Sequence, residues 1–166
     1  MKEPADLARE LSQLLLARSW MLATAESCTG GMIAAACTDL AGSSAWFERG
    51  FVTYSNQAKI DSLGVDPALI ARHGAVSDVV ARAMAFGAVR HSRAQVGVAV
   101  TGVAGPSGGS ADKPVGMVCF GFQVDGRLAN ETRNFQGERA AVRAATVQHA
   151  LARLVELVAA TPADHF

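Results

Sequence analysis

The chain has 166 residues, of which 50% are hydrophobic and 18% charged, and its 15 basic and 15 acidic side chains give a formal net charge of zero. This composition predicts one packed domain over residues 1–166 and excludes a disordered chain. Without a basic run, nucleic acid is not an expected partner. No apolar run approaches the roughly 18 residues that cross a bilayer, so no membrane partner is expected.

The cysteine pattern indicates a reducing compartment. Cys28, Cys37 and Cys119 form an odd number without CxxC spacing, which favours free thiols over a disulfide framework. The N-terminus lacks the apolar core of a signal peptide. We therefore expect a cytoplasmic protein.

The hydrophobic pattern predicts helices and strands that alternate before a late hairpin. In chain order we predict a helix around residues 7–14, a strand over 20–24, a helix over 32–40, a strand over 46–54, a short helix around Lys59, a helical turn from Asp66, a helix over 78–92, a strand over 95–101, strands over 115–124 and 128–135, and a helix over 137–160. Asp125-Gly126 is a strong hairpin-turn signal. The fold class predicted is α/β: a three-layer α/β/α domain with a mixed central sheet.

A glycine turn at residues 25–31, Ala-Glu-Ser-Cys-Thr-Gly-Gly, joins the first strand to the second helix. Free backbone N–H groups at such a turn attract negative charge. Ser27 held there can attack a carbonyl while neighbouring N–H groups stabilise the oxyanion. The alternatives are that Ser27 only caps the helix or that the turn holds a phosphate.

A second glycine turn, Thr101-Gly-Val-Ala-Gly105, follows the strand over 95–101. Ligands of α/β sheets collect at the carboxyl ends of strands. If the two strands are parallel neighbours, both turns line one pocket and Thr101 faces Ser27. Two tight packing turns are the alternative.

A serine nucleophile needs a base, and Lys59 is the best candidate. His73, His91, His149 and His165 do not adjoin either glycine turn, so nothing in the sequence supports a triad. Burial can depress a lysine pKa toward neutrality. Lys59 is one of three lysines and follows Tyr54 and a predicted strand end; an ordinary solvated lysine is the alternative.

Other chemistries have less support. Cys28 is a rival nucleophile, since a helix N-terminus can lower a thiol pKa, but without a nearby histidine a packing role is favoured. No His or Cys pair has metal-ligand spacing, and neither glycine turn matches a P-loop or a dinucleotide fingerprint. We expect neither a metal nor a cofactor. Arg139 and Arg143 share a face of the last helix and can hold a phosphate or carboxylate, unless they pair with acids such as Glu138.

Several ordered motifs resemble the C-terminal domain of the competence/damage-inducible protein CinA. They comprise residues 25–31, Gly-Ser-Ser at 42–44, Gly-Phe-Val-Thr-Tyr-Ser-Asn at 50–56, Lys59, His-Gly-Ala-Val-Ser at 73–77, Val-Thr-Gly-Val-Ala-Gly-Pro at 100–106, Lys-Pro-Val-Gly at 113–116 and the Phe135-to-Arg143 pattern. The resemblance covers nearly the whole chain. It implies a nicotinamide-nucleotide amidase without a metal, in the form that lacks the additional N-terminal domain of many family members.

The resemblance also implies roles for individual residues. Ser27 becomes the nucleophile and Lys59 the general base, with Tyr54 and Thr101 tuning or orienting them. Ser44 is a second hydroxyl for this network. The remaining substrate-binding candidates lie in the glycine turns and the last helix: Thr29, Gly30, Gly31, Gly102, Gly105, Arg139 and Arg143.

Two other functions stay open from the sequence. One is a nucleotide-binding module without turnover, and the other is a competence or DNA-damage accessory protein, which the neutral charge does not support. The alanine-rich helices favour a homo-oligomer, most simply a dimer.

Overall fold

The computed structural model describes residues 1–163 as a five-stranded mixed sheet with helices on both faces. The strands are β1 (Leu22–Glu26), β2 (Phe47–Val52), β3 (Val96–Gly102), β4 (Met117–Val124) and β5 (Arg127–Asn134). The helices are α1 (Pro4–Arg18), α2 (Met32–Thr38), α3 (Asn56–Leu63), α4 (Pro67–His73), α5 (Asp78–Arg90) and α6 (Arg139–Ala160), with a short 3-10 turn at Ser43–Ala45.

The strand order is β2-β1-β3-β4-β5, which confirms the predicted mixed sheet. β1 runs parallel to both β2 and β3, whereas β4 is antiparallel to both β3 and β5. Asp125 and Gly126 both have positive φ, as the tight turn of the β4–β5 hairpin requires. The carboxyl ends of β1, β2 and β3 therefore meet at one edge of the sheet.

Each face of the sheet has its own hydrophobic core. Helices α1, α2 and α6 cover one face over a core that includes Leu11, Phe120 and Leu151. Helices α3, α4 and α5 cover the other over a smaller core that includes Met84. Gly121 lets α5 approach β4 directly, since a Cβ there would lie 2.1 Å from the Ala81 carbonyl oxygen. The three-layer prediction is confirmed.

The predicted boundaries of the first strand were wrong by two residues. We predicted residues 20–24, but Trp20 closes α1: Ser19 is left-handed and the Trp20 N–H bonds to the Leu15 carbonyl. β1 instead extends to Glu26, a buried carboxylate that looks like a turn residue in the sequence. Similarly, β2 ends at Val52 rather than Tyr54.

Within residues 1–163, none of the helices combines the length and the apolar character that a bilayer crossing requires.

Candidate active site

A cleft of about 340 Å³ opens at the sheet edge where β1, β2 and β3 end. The paired register Glu26↔Val100 places the two glycine turns side by side, as predicted. The predicted site residues that line the cleft are Ser27, Tyr54, Lys59, Thr101, Gly102, Gly105 and Arg139. The lining residues that the sequence analysis did not identify include Asn56, Ala75, Val76 and Ser107.

Ser27 and Lys59 are in direct contact in this cleft. Lys59 Nζ lies 3.0 Å from Ser27 Oγ, although the residues are 32 positions apart. Ser27 follows β1, and α3 carries Lys59 across the end of β2; Ser55 caps α3 by accepting a hydrogen bond from the Ala58 N–H. Helix capping therefore fixes the position of the amine.

Burial of Lys59 favours the neutral amine over the protonated form. The residue is only 1% exposed, and burial lowers the pKa of its ammonium group. Nζ donates to the carbonyls of Thr53 (2.9 Å) and Tyr54 (3.2 Å). A neutral amine has two N–H donors and one lone pair. A third carbonyl, that of Ser55, lies 3.5 Å from Nζ, and the Ser27 hydroxyl faces the Tyr54 carbonyl at 3.4 Å. When the amine is neutral, its two N–H donors serve these carbonyls and its lone pair can accept the Ser27 proton.

The rival nucleophile and the rival bases are poorly suited to this chemistry. Cys28 lines the cleft, but burial raises its pKa to about 11, so little thiolate forms at neutral pH. Among the histidines of residues 1–163, none lines the cleft; His149 instead contacts Glu131 on β5. His165 lies outside the described residues.

The turn after Ser27 presents a backbone N–H next to the nucleophile. The Gly30 N–H donates to the Ser27 carbonyl at 3.1 Å, and the Ser27 N–H donates to the Val100 carbonyl. Because a trans peptide unit directs its C=O and N–H in opposite directions, the Cys28 N–H points out of this turn. Within residues 1–163 it bonds to no other residue. The group that it does reach is the thiol of Cys28 itself, a weak acceptor, so this N–H is a candidate donor to an oxyanion.

Thr29, Gly30, Gly31 and Arg143 lie behind this turn rather than in the cleft lining. The Arg143 guanidinium donates to the carbonyls of Cys28 (3.0 Å) and Thr29 (3.2 Å). Gly30 and Gly31 both adopt positive φ. These residues shape the backbone on which Ser27 sits.

Arg139 and Tyr54 form one rim of the cleft. Arg139 Nη1 donates to the Gly105 carbonyl at 2.8 Å, and Nη2 lies 3.4 Å from the Tyr54 hydroxyl. Within the described residues Arg139 pairs with no carboxylate, so its charge is available to an anion. Tyr54 reaches Lys59 only through its backbone carbonyl, and its ring is 63% exposed.

Thr101 and Lys113 connect the opposite walls of the cleft. Thr101 is 1% exposed, and its hydroxyl donates to the Ala75 carbonyl at 3.0 Å. Lys113, in the loop that follows β3, donates to the His73 carbonyl. The loop after β3 is thereby attached to the α4–α5 connection.

Ser44 is not brought to the cleft. It is exposed in the 3-10 turn that precedes β2, whereas the cleft lies where β2 ends. The pairing of Phe47 with Leu22 places this turn near the start of β1, at the opposite edge of the sheet. Separately, no cluster of three His, Cys, Asp or Glu side chains within residues 1–163 is arranged to hold a metal ion.

Comparison with known proteins identifies close relatives over almost the full length. The CinA C-terminal domain profile matches residues 4–158. The nicotinamide-nucleotide amidohydrolase PncC of Enterobacter agglomerans is 53% identical over 139 residues, covering 83% of this chain and 85% of the relative. PncC of Escherichia coli K12 is 49% identical over 153 residues, covering 92% of this chain and 93% of the relative.

The fold is also shared with solved structures. The crystal structure of competence damage-inducible protein A from Klebsiella pneumoniae superposes with a TM-score of 0.94 at 37% identity. The alignment covers 97% of this chain and all of that one.

Proposed function

The chain belongs to the CinA C-terminal domain family, and from this membership and the Ser27–Lys59 contact we propose that it is a nicotinamide-nucleotide amidohydrolase. It hydrolyses the carboxamide of nicotinamide mononucleotide to nicotinic acid mononucleotide and ammonia. The observation that carries the proposal is the 3.0 Å contact between a buried lysine amine and a serine hydroxyl in the cleft where β1, β2 and β3 end.

The first half-reaction forms an ester on Ser27. Neutral Lys59 accepts the Ser27 proton as Oγ bonds to the carboxamide carbon, and the carbonyl electrons move to oxygen. General-base assistance of this kind contributes on the order of 10²–10⁴-fold in rate. The Cys28 N–H donates to the oxyanion, in the way that the residue after the nucleophile does in other serine hydrolases.

Collapse of the tetrahedral intermediate completes the ester, and the second half-reaction then releases the acid. As the tetrahedral intermediate collapses, the Lys59 ammonium gives its proton to the leaving nitrogen, and ammonia departs. Lys59, neutral again, takes a proton from water, which attacks the ester carbon. Collapse returns the proton to Ser27 and frees the nicotinic acid nucleotide.

The substrate phosphate binds at the cleft rim. Arg139 supplies a guanidinium that pairs with no carboxylate among residues 1–163, beside the 105–108 backbone, and the Tyr54 hydroxyl adds a polar contact. Gly102 and Gly105 contribute backbone to the cleft lining, and each is close-packed on its Cβ side, against β4 and Val115 respectively. Thr29, Gly30, Gly31 and Arg143 contribute by holding the oxyanion turn, and Thr101 holds the facing wall. Ser44 takes no part within one copy of the chain.

The relatives give no direct information about assembly or compartment, so two further points are proposals. A homodimer accounts for the apolar side chains left exposed on α5, Val79 and Phe86. A cytoplasmic location fits the three free cysteines.

The experiment that tests the proposed function is an ammonia-release assay on nicotinamide mononucleotide, with the product acid measured in parallel. The purified chain releases both in equal amounts, and Ser27→Ala abolishes release. Ser62→Ala, which removes an exposed hydroxyl from α3, is the matched control and keeps full activity. Thermal stabilisation by the nucleotide without ammonia would instead identify a binding module.

A further inference from the structure

Glu26 is a buried carboxylate placed directly before the nucleophile. It is the last residue of β1 and only 1% exposed. A carboxylate is almost never buried this far unless its oxygens are fully hydrogen-bonded. Three donors reach it: the Thr29 hydroxyl at 2.5 Å, the Ile33 N–H at 2.8 Å and the Ala34 N–H at 3.0 Å.

These contacts occupy backbone N–H donors at the N-terminus of α2. The Met32 N–H donates to the Thr29 carbonyl, and the next two N–H groups donate to Glu26. The Ala35 N–H then begins the regular helix by bonding to the Gly31 carbonyl. The donors that bind phosphate at other helix N-termini are therefore occupied by the protein's own carboxylate.

The backbone of Glu26 is fixed as firmly as its side chain. Its carbonyl accepts from the Thr53 N–H at 2.9 Å, and Thr53 in turn supplies a carbonyl to Lys59. Glu26 thus lies between the turn that carries Ser27 and the strand end that orients Lys59. A shift of this residue changes the distance between Ser27 Oγ and Lys59 Nζ.

We infer that Glu26 is a positioning residue that fixes the nucleophile turn and reserves it for the oxyanion, so that the substrate phosphate binds only at the Arg139 rim. Glu26 does not line the cleft and does not touch the reacting atoms. Its kinetic consequence rests on the proposed function. Its structural consequence, the reactivity of Ser27 toward any acylating reagent, does not.

Glu26→Gln tests the inference with little change of volume. The side-chain NH₂ group of the glutamine then faces a backbone N–H. Two donors cannot hydrogen-bond to each other, so the turn is held less firmly. We expect kcat to fall on the order of 10–100-fold, as small displacements of reacting groups do. KM for the mononucleotide stays within about twofold, and the ratio of KM for riboside to KM for mononucleotide is unchanged. Glu156→Gln, an exposed change on α6, is the matched control.

Thr29→Val is the second variant, in case Glu26→Gln does not fold. It removes one donor to the carboxylate and leaves both α2 N–H contacts, so kcat falls about 3–10-fold, the worth of one hydrogen bond. For each variant, circular dichroism establishes folding. Labelling of Ser27 by a fluorophosphonate measures nucleophile reactivity without the substrate, and we expect it to slow in parallel with kcat.

Two results would overturn the inference. One is the finding that the folded variants keep the wild-type kcat and the wild-type labelling rate. The other is a selective rise in KM for the mononucleotide, which would place the phosphate at the α2 terminus. If the wild-type chain releases no ammonia, the proposed function fails, whereas the labelling rates still decide the role of Glu26.

Discussion

The two glycine turns that form the cleft differ in what satisfies their polar groups. The turn at residues 27–31 is stabilised by other side chains of the protein. Glu26 accepts from N–H groups at the start of α2, and Arg143 donates to the carbonyls of Cys28 and Thr29. The loop at 102–109 is more open, and at its rim Arg139 keeps an unpaired charge within the described chain. We therefore propose that the turn at residues 27–31 serves bond cleavage and that the loop at 102–109 serves nucleotide binding.

The largest expected effect on activity is that of Lys59→Met, which changes the base that contacts Ser27. This substitution removes the base and keeps an unbranched side chain of similar length. We expect kcat/KM for ammonia release to fall on the order of 10²–10⁴-fold. Lys2→Met, an exposed change near the N-terminus, is the control and keeps wild-type kinetics. Near-wild-type activity in Lys59→Met would show that another group accepts the proton.

Arg139→Ala tests whether the cleft rim binds the nucleotide phosphate. Loss of a charge-assisted contact worth about 1.5–3 kcal/mol raises KM for the mononucleotide roughly 10–100-fold. KM for the riboside, which has no phosphate, changes little. The control is Arg127→Ala, since Arg127 is exposed beside the hairpin turn at the other end of the sheet. An equal rise in KM for both substrates would show that the phosphate does not bind at this rim.

The pH dependence of the rate tests the buried amine. Because burial lowers the pKa of Lys59, the neutral base forms below the ordinary value of 10.5. We therefore expect kcat/KM to rise with pH through the lowered pKa and then to level off. A rate that rises only near 10.5 would mean that the amine is solvated.

The same burial predicts that the stability of the folded chain depends on pH. Between the lowered pKa and 10.5 the unfolded chain binds more protons than the folded one, so wild-type stability rises with pH in that window. At neutral pH, Lys59→Met removes the cost of burying the amine. We expect its Tm to rise about 2–4 °C for each kcal/mol relieved, without the wild-type pH dependence. A lower Tm in calorimetry would contradict this account.

The smallest effect is expected for Gly105→Ala in the open loop. Gly105 has a φ of +84°, and an added Cβ would lie 2.5 Å from Val115 Cγ1. The loop must shift, so KM rises a few-fold while kcat, which depends on the other turn, is nearly unchanged. A loss confined to kcat in steady-state kinetics would show that this loop supports the chemical step.

Local signals in the sequence predicted most of the fold. Hydrophobic periodicity and the Asp125-Gly126 turn identified the helices, the strands and the hairpin. The boundaries of β1 and β2 were predicted less well. At β1 the reason is that Trp20 packs as part of a helix cap and Glu26 is buried by hydrogen bonds that form only in three dimensions.

The site was predictable where a residue follows a strand, and less so elsewhere. Ser27 and Lys59 follow strand ends and Thr101 lies next to the end of β3, so their meeting could be expected. Ser44 precedes a strand, and the parallel register carries it to the opposite edge. Asn56 belongs to the 50–56 motif and begins α3 one helical turn before Lys59, but no feature of the sequence marked its side chain as part of the site.

The central claim is that Ser27 and Lys59 act as one catalytic unit, and a double-mutant cycle tests it most directly. The measurement is kcat/KM for ammonia release from nicotinamide mononucleotide in Ser27→Ala, Lys59→Met and the double variant. Residues that act as a unit lose activity together, so the double variant is no slower than the slower single variant. Losses that multiply would mean that the two residues act independently, and would contradict the account.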